Sequence, residues 1–122
     1  MRFLMMHRLD ESRPEAWNPS PEFIEKLGGM IQDWTAKGVL ITAEGVLKSE
    51  TGAMVRKTAD GGNTATDGPF TEAKEVIGGF ALINAKDRAE AVAYAREYAA
   101  LFDEVSVEVR QIAEFDDIPA SA

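Results

Sequence analysis

An α+β fold is predicted by this sequence, and three observations carry it. Two segments read as helices: residues 21–37, with apolar residues at helical spacing, and roughly 88–100, rich in alanine behind a capping box. Short apolar or alternating segments before, between and after them read as strands. The connections are short and one is tight-turn chemistry, Asp60-Gly61-Gly62-Asn63, so the sheet is expected to be mainly antiparallel. At 122 residues the chain has the length of one domain. That domain is read as residues 1–113, with 114–122 as a mobile tail because no periodicity continues there.

The elements follow in order. Residues 3–6 form a first strand, with Phe3, Met5 and His7 on one face and Leu4 and Met6 on the other. Residues 10–19 are polar, hold two prolines and Trp17, and read as a loop. Ser20-Pro21 is an N-cap followed by proline in the first helical position. Phe23, Ile24, Leu27, Met30, Ile31 and Trp34 then recur at helical spacing. Lys37-Gly38 closes that helix with a cation and a glycine. Residues 39–47 read as a second strand, and residues 53–57 and 64–66 as a hairpin around the glycine turn. Residues 76–83 are another strand; inside it, Gly78-Gly79 marks a bulge or a close backbone approach. Asp87 to Glu90 is a capping box with aspartate at its head, opening the second helix. Val105, Val107 and Val109 alternate with polar residues in a half-exposed last strand. The order is β, α, β, hairpin, β, α, β: a ferredoxin-like βαββαβ plan with an inserted hairpin and both helices on one sheet face.

That plan leaves one sheet face without helices. Yet residues 3–6 are apolar on both faces, and so is the strand of residues 76–83, with Val76, Phe80 and Leu82 on one side and Ile77, Ala81 and Ile83 on the other. Two apolar faces need two covers, and a second copy of the chain is the simplest second cover. A homodimer is expected; a fold-over by the second strand or the Trp17 loop is the alternative.

Composition excludes several functions. There is no cysteine, so disulfides, thiolate zinc sites and thiol nucleophiles are ruled out. The net charge is −8 and no window clusters lysine and arginine, so neither nucleic acid nor an anionic membrane is an expected partner. The apolar start is too short for a secretory signal and has no small-residue cleavage site. A soluble, cytoplasmic protein is expected, with no cofactor and no metal.

Few residues could carry chemistry. His7 is the one histidine; beside a carboxylate it could exchange protons, and otherwise it is a half-buried strand-end residue with a hydrogen bond. Asp67 either caps the Gly68-Pro69 turn or is a site carboxylate held by it. Glu72, Lys74 and Glu75 follow the turn, and Lys74 suits an anionic or carbonyl ligand better than Schiff-base chemistry. Arg56 and Arg110 project from strands and could clamp a carboxylate; the alternative for Arg110 is an internal pair with Glu108. Asp67 is expected to line a cleft with at least one of the binding residues Arg56, Lys74 and Arg110, and His7 to lie within reach of it, so that Asp67 and His7 exchange protons with the ligand. Gly79 should not accept a β-branched side chain, while Ser49 is placed in a surface loop where substitutions typically stay within about 0.5 kcal/mol.

The run from Asp67-Gly68-Pro69-Phe70 to Gly79-Phe80 resembles the signature of the YCII-related family, in its DGPF-domain branch. Weaker echoes lie at Val55-Arg56, residues 87–91 and Val107-Glu108-Val109-Arg110. The resemblance implies a dimeric α+β barrel, small and cytoplasmic. It further implies a histidine–aspartate pair in a cleft, with Asp67 as the aspartate; the branch commonly carries an aliphatic or aromatic residue where this chain has His7. Links of relatives to sigma-factor genes imply a regulatory role. Two functions are therefore expected: first, a small-molecule-binding or regulatory accessory protein with a polar cleft near the Asp-Gly-Pro-Phe turn; second, an enzyme acting on a small polar or anionic metabolite by Asp/His acid–base chemistry.

Overall fold

The computed structural model describes residues 1–14, 16–71 and 73–118. The elements run β1 (Arg2–Leu9), α1 (Pro21–Ala36), β2 (Leu40–Gly45), β3 (Ala53–Lys57), β4 (Asn63–Asp67), β5 (Val76–Asn84), α2 (Arg88–Ala99) and β6 (Ser106–Gln111). Four strands form one sheet in the order β2-β5-β1-β6, antiparallel throughout. This is the ferredoxin-like arrangement, with β3 and β4 inserted as a separate two-stranded hairpin.

Local chemistry sets the helix ends as the sequence predicts. The Ser20 hydroxyl accepts the Phe23 N–H at 3.1 Å, and Pro21 follows it in the first turn. Beyond the last turn Gly38 adopts φ 72°, a left-handed conformation that glycine takes without steric cost. At α2 the Asp87 carboxylate accepts the Glu90 N–H at 2.9 Å. The reciprocal half of the box is displaced by one residue, because the Glu90 carboxylate accepts from the Lys86 N–H at 3.2 Å.

Strand alternation then sorts the faces. Phe3 and Met5 turn toward the helices and are almost completely buried, with Trp34, Ile83, Ala91 and Ala95 in the same core. Leu4 and Met6 point the other way, opposite Leu82 and Phe80 on β5. One assignment needs correction. The register slips between His7 and Arg8, so His7 faces Gly79 while Arg8 faces Ile77. This bulge reverses the alternation of β5 at its start. Val76 is accordingly buried and Ile77 is 40% exposed, the opposite of a strict period of two.

Other boundaries move by a few residues. β1 extends to Leu9, and β2 ends at Gly45, although the Val46 N–H still reaches the Gly78 carbonyl at 3.0 Å. The segment expected to be mobile from 114 onward begins anchored. Arg2 and Glu114 form an ion pair at 2.7 Å, and Phe115–Asp117 make a 3₁₀ turn. Residues 119–122 lie outside the described residues. No helix among the described residues is long and apolar enough to cross a membrane.

Candidate functional site

The two helices cover the same sheet face at different closeness. α2 presents Ala91 and Ala95, small side chains that are buried against the sheet. α1 carries larger ones, and of these only Trp34, near its C-terminal end, is buried. Trp34 packs edge-on against Tyr94, with centroids 5.3 Å apart, and its indole N–H donates to Glu97 at 3.3 Å. Phe23, Leu27 and Met30, earlier on α1, stay half-exposed. They line a cavity of about 680 Å³ between α1, the sheet and the loop after β1. That volume falls within the range of about 300–1,000 Å³ typical of ligand sites.

His7 sits in the wall of this cavity, together with Tyr98 and Phe102. β1 alternation turns it to the helix face, and the glycine bulge makes room for its ring. A Cβ at Gly78 would collide with His7 Nε2, and one at Gly79 would stand 2.9 Å from His7 Cε1 and 2.7 Å from the Glu44 carbonyl oxygen. The expected close approach at Gly78-Gly79 is therefore real, and what approaches is the histidine. Tyr98 Oη lies 2.5 Å from His7 Nδ1, and the His7 ring also tilts against Phe102, with centroids 5.1 Å apart.

Burial favours the neutral form of both partners. It lowers the His7 pKa below its ordinary value and pushes Tyr98 up to about 12. With Tyr98 donating, Nδ1 accepts and Nε2 carries the proton. In the other tautomer Nδ1–H donates and Nε2 is a bare acceptor. Among the described residues Nε2 has no hydrogen-bond partner, and it is not sealed from solvent. His7, which lines the cavity, thus keeps one nitrogen beside Gly78 free to donate or accept.

The rim is charged. Arg13 pairs with Glu104 at 2.8 Å and Lys26 with Glu22 at 3.0 Å. Asp10 is held below the usual carboxylate range, first by hydrogen bonds from the Ser12 hydroxyl and N–H, and in smaller part by Arg13 and Lys74. Trp17 closes one side, its indole N–H donating to the Val46 carbonyl at 2.8 Å.

Of the residues expected to converge, only His7 lines this cavity. Asp67 is exposed at the end of β4, opposite Ala53, and its carboxylate has no hydrogen bond among the described residues. Arg56 stands on the hairpin opposite Thr64, and all ten residues of β3 and β4 are exposed. Arg110 lies on the helix-free face and pairs with Glu108 at 3.2 Å. Lys74 is exposed, close enough to Asp10 to influence it. Glu75 accepts from the Ser106 hydroxyl at 3.4 Å, and Glu72 lies outside the described residues. The dispersal has a simple cause. The hairpin is its own two-stranded sheet, so its side chains are not in register with β1, while β6 register sends Arg110 to the face opposite His7.

The Asp-Gly-Pro-Phe run instead builds a structural junction around Ser49. Ser49 is not a surface residue: it is 8% exposed. Its hydroxyl bonds the Glu11 carboxylate and accepts the Phe70 N–H at 2.8 Å, and its own N–H donates to Glu11 at 3.0 Å. The Gly68 N–H donates to the Gly52 carbonyl at 2.9 Å. A Cβ at Gly68 would run into the Ser49 carbonyl, so only glycine fits there. The Gly68-Pro69 peptide is cis.

Sequence reasoning missed Tyr98, Phe102 and the aromatic wall of α1. A signal existed. Ala91, Ala95, Tyr98 and Phe102 share one face at helical spacing, and an aromatic pair at the end of an alanine stripe marks where α2 stops packing closely.

A family model for the YCII-related domain matches residues 1–116. The chain belongs to that family. Among curated proteins none matches.

Proposed function

We propose, from membership of the YCII-related family, that this protein is a small-molecule-binding or regulatory accessory protein whose ligand occupies the cavity under α1. The observation that carries this reading is the cavity itself: about 680 Å³, walled by aromatic and aliphatic side chains, with His7 in the wall. Largely apolar concavities with a few convergent polar groups are what ligand sites look like. The ligand region differs from the one expected at the Asp-Gly-Pro-Phe turn, which serves to join the hairpin to the domain. Native mass spectrometry of protein purified from cells tests the reading. A bound mass is expected, and Leu27→Trp, which fills the cavity, should remove it. A protein that carries no adduct, and whose tryptophan fluorescence ignores a broad small-molecule panel, overturns the reading.

A second reading, turnover by proton transfer, is favoured by one feature. Nδ1 of His7 is oriented by Tyr98 while Nε2 has no hydrogen-bond partner among the described residues, the relation of a base to its orienting group. His7→Gln would then abolish turnover while leaving binding in place; a pure binding protein shows no turnover to lose.

We also propose the homodimer. Leu4, Met6, Phe80 and Leu82 make a half-exposed apolar stripe on the helix-free face, extended by Ile77. Beside it, Arg8 and Arg110 both pair with Glu108, at 3.3 and 3.2 Å. An apolar centre with a charged rim is the anatomy of a stable interface. Light scattering should return twice the 13.3 kDa chain mass, and Leu82→Asp should return the single mass.

A further inference from the structure

We infer that the cavity selects an uncharged, mostly apolar ligand bearing one hydrogen-bonding group for His7 Nε2, and that it rejects carboxylates and phosphates. This rests on the cavity being the ligand site, and it reverses the anionic ligand that the sequence suggests.

The walls supply the first half. Phe23, Leu27, Met30, Trp34, Leu40 and Ala81 offer a ligand only apolar contact. Beside them stand His7 and Tyr98, and the Tyr98 hydroxyl is already engaged with Nδ1. Of that pair Nε2 is left for a ligand, a neutral donor or acceptor, and the exposed Asn18 and Ser20 in the same lining are neutral too. Burying an ionised group against such walls costs several kcal/mol unless a counter-charge meets it, and the wall provides none.

The rim supplies the second half. Asp10, Glu22, Glu44, Asp103 and Glu104 line it, against Arg13 and Lys26. Both cations are paired with rim carboxylates, Arg13 with Glu104 and Lys26 with Glu22. The chain as a whole carries −8, which adds to the field an entering anion opposes. The cations expected to hold an anion stand elsewhere: Arg56 on the hairpin and Arg110 on the opposite sheet face. A cationic ligand would be drawn to the rim but would find no carboxylate at Nε2, so the neutral species is preferred to both.

The chain's two tryptophans, Trp17 and Trp34, both line the cavity, so intrinsic fluorescence reports occupancy directly. The test compares 4-propylphenol with 4-propylbenzoate, alike in body and differing in head-group charge, at pH 7.5 on the intact protein. The phenol should bind at least about tenfold more tightly, a gap of one decade in Kd. Propylbenzene, which lacks the polar group, should bind more weakly than the phenol, and His7→Phe should remove that difference. Equal or tighter binding of the benzoate overturns the neutral-ligand inference but leaves the cavity a ligand site. A phenol advantage over propylbenzene that survives His7→Phe removes His7 from the recognition. If all three molecules leave the fluorescence unchanged up to their solubility, both the inference and the binding reading fall.

Discussion

Around Ser49, polar groups pack closely: a carboxylate, a hydroxyl and three backbone N–H groups meet with no room for a methyl at Gly68. Under α1 the reverse holds. Large apolar side chains surround about 680 Å³ of open space, and the His7–Tyr98 hydrogen bond is a polar contact set in the cavity wall. The first region contains the most recognisable sequence of the chain, and the second is made of residues that no short motif picks out. The contrast teaches that a conspicuous turn signature can hold a domain together, while ligand-sized space arises where one helix packs through a bulky residue and its neighbour through alanines.

The sharpest way to break this contrast is Gly68→Ala. A methyl group there meets backbone at Ser49, and backbone cannot swing aside as a side chain can. We expect a loss of about 3 kcal/mol, at the top of the usual range for overpacking, read as a lowered denaturant midpoint. A wild-type midpoint would mean that the junction is loose.

The cavity wall should announce itself through pH. Tyr98 keeps its proton to about 12 when folded, against 10.0 in the unfolded chain. Between those values the unfolded state releases a proton that the native state retains. The stabilisation is therefore complete below pH 10 and is lost as pH rises toward 12, by an amount on the order of 2 kcal/mol. Tyr98→Phe should flatten this alkaline decline relative to wild type. His7 acts at the other end. Burial lowers its pKa, so its contribution is full above the unfolded value of about 6.5 and declines as pH falls below it.

The smallest effects compare the two regions directly. Ser49→Ala leaves the Glu11 carboxylate and the Phe70 N–H without their hydroxyl partner, a cost of about 1–2 kcal/mol. Leu27→Ala should cost less than about 1 kcal/mol, below the ~2–5 kcal/mol of a filled core site, because Leu27 is half-exposed and already borders empty space. Reversed magnitudes would show that the cavity is closed in solution and the junction open.

The elements were legible because their causes are local. Ser20-Pro21, Gly38 and Asp87 set helix ends through their own side chains and backbone, and Asp60-Gly61-Gly62 turns the hairpin through a carboxylate that accepts the Gly62 N–H at 3.0 Å. Alternation in β1 likewise assigned Phe3, Met5 and His7 to one face before any neighbour was known. It misplaced Val76 and Ile77 because a bulge is a property of two paired strands and shows in one strand only as a pair of glycines.

The candidate site was far less legible. His7 could be named because it is a rare titratable residue, but its partner is Tyr98, 91 positions away, and only the packing of α2 on β1 brings them together. Asp67, Arg56 and Arg110 were grouped by chemistry, and sheet register separated them. The sequence by itself determined the order of elements, their caps and the apolar faces, since these depend on interactions a few residues long. Tertiary structure alone decided which helix packs closely, where the cavity opens and which side chains meet in it. Those outcomes depend on distances between elements, and such distances are set by the summed bulk of side chains from several parts of the chain.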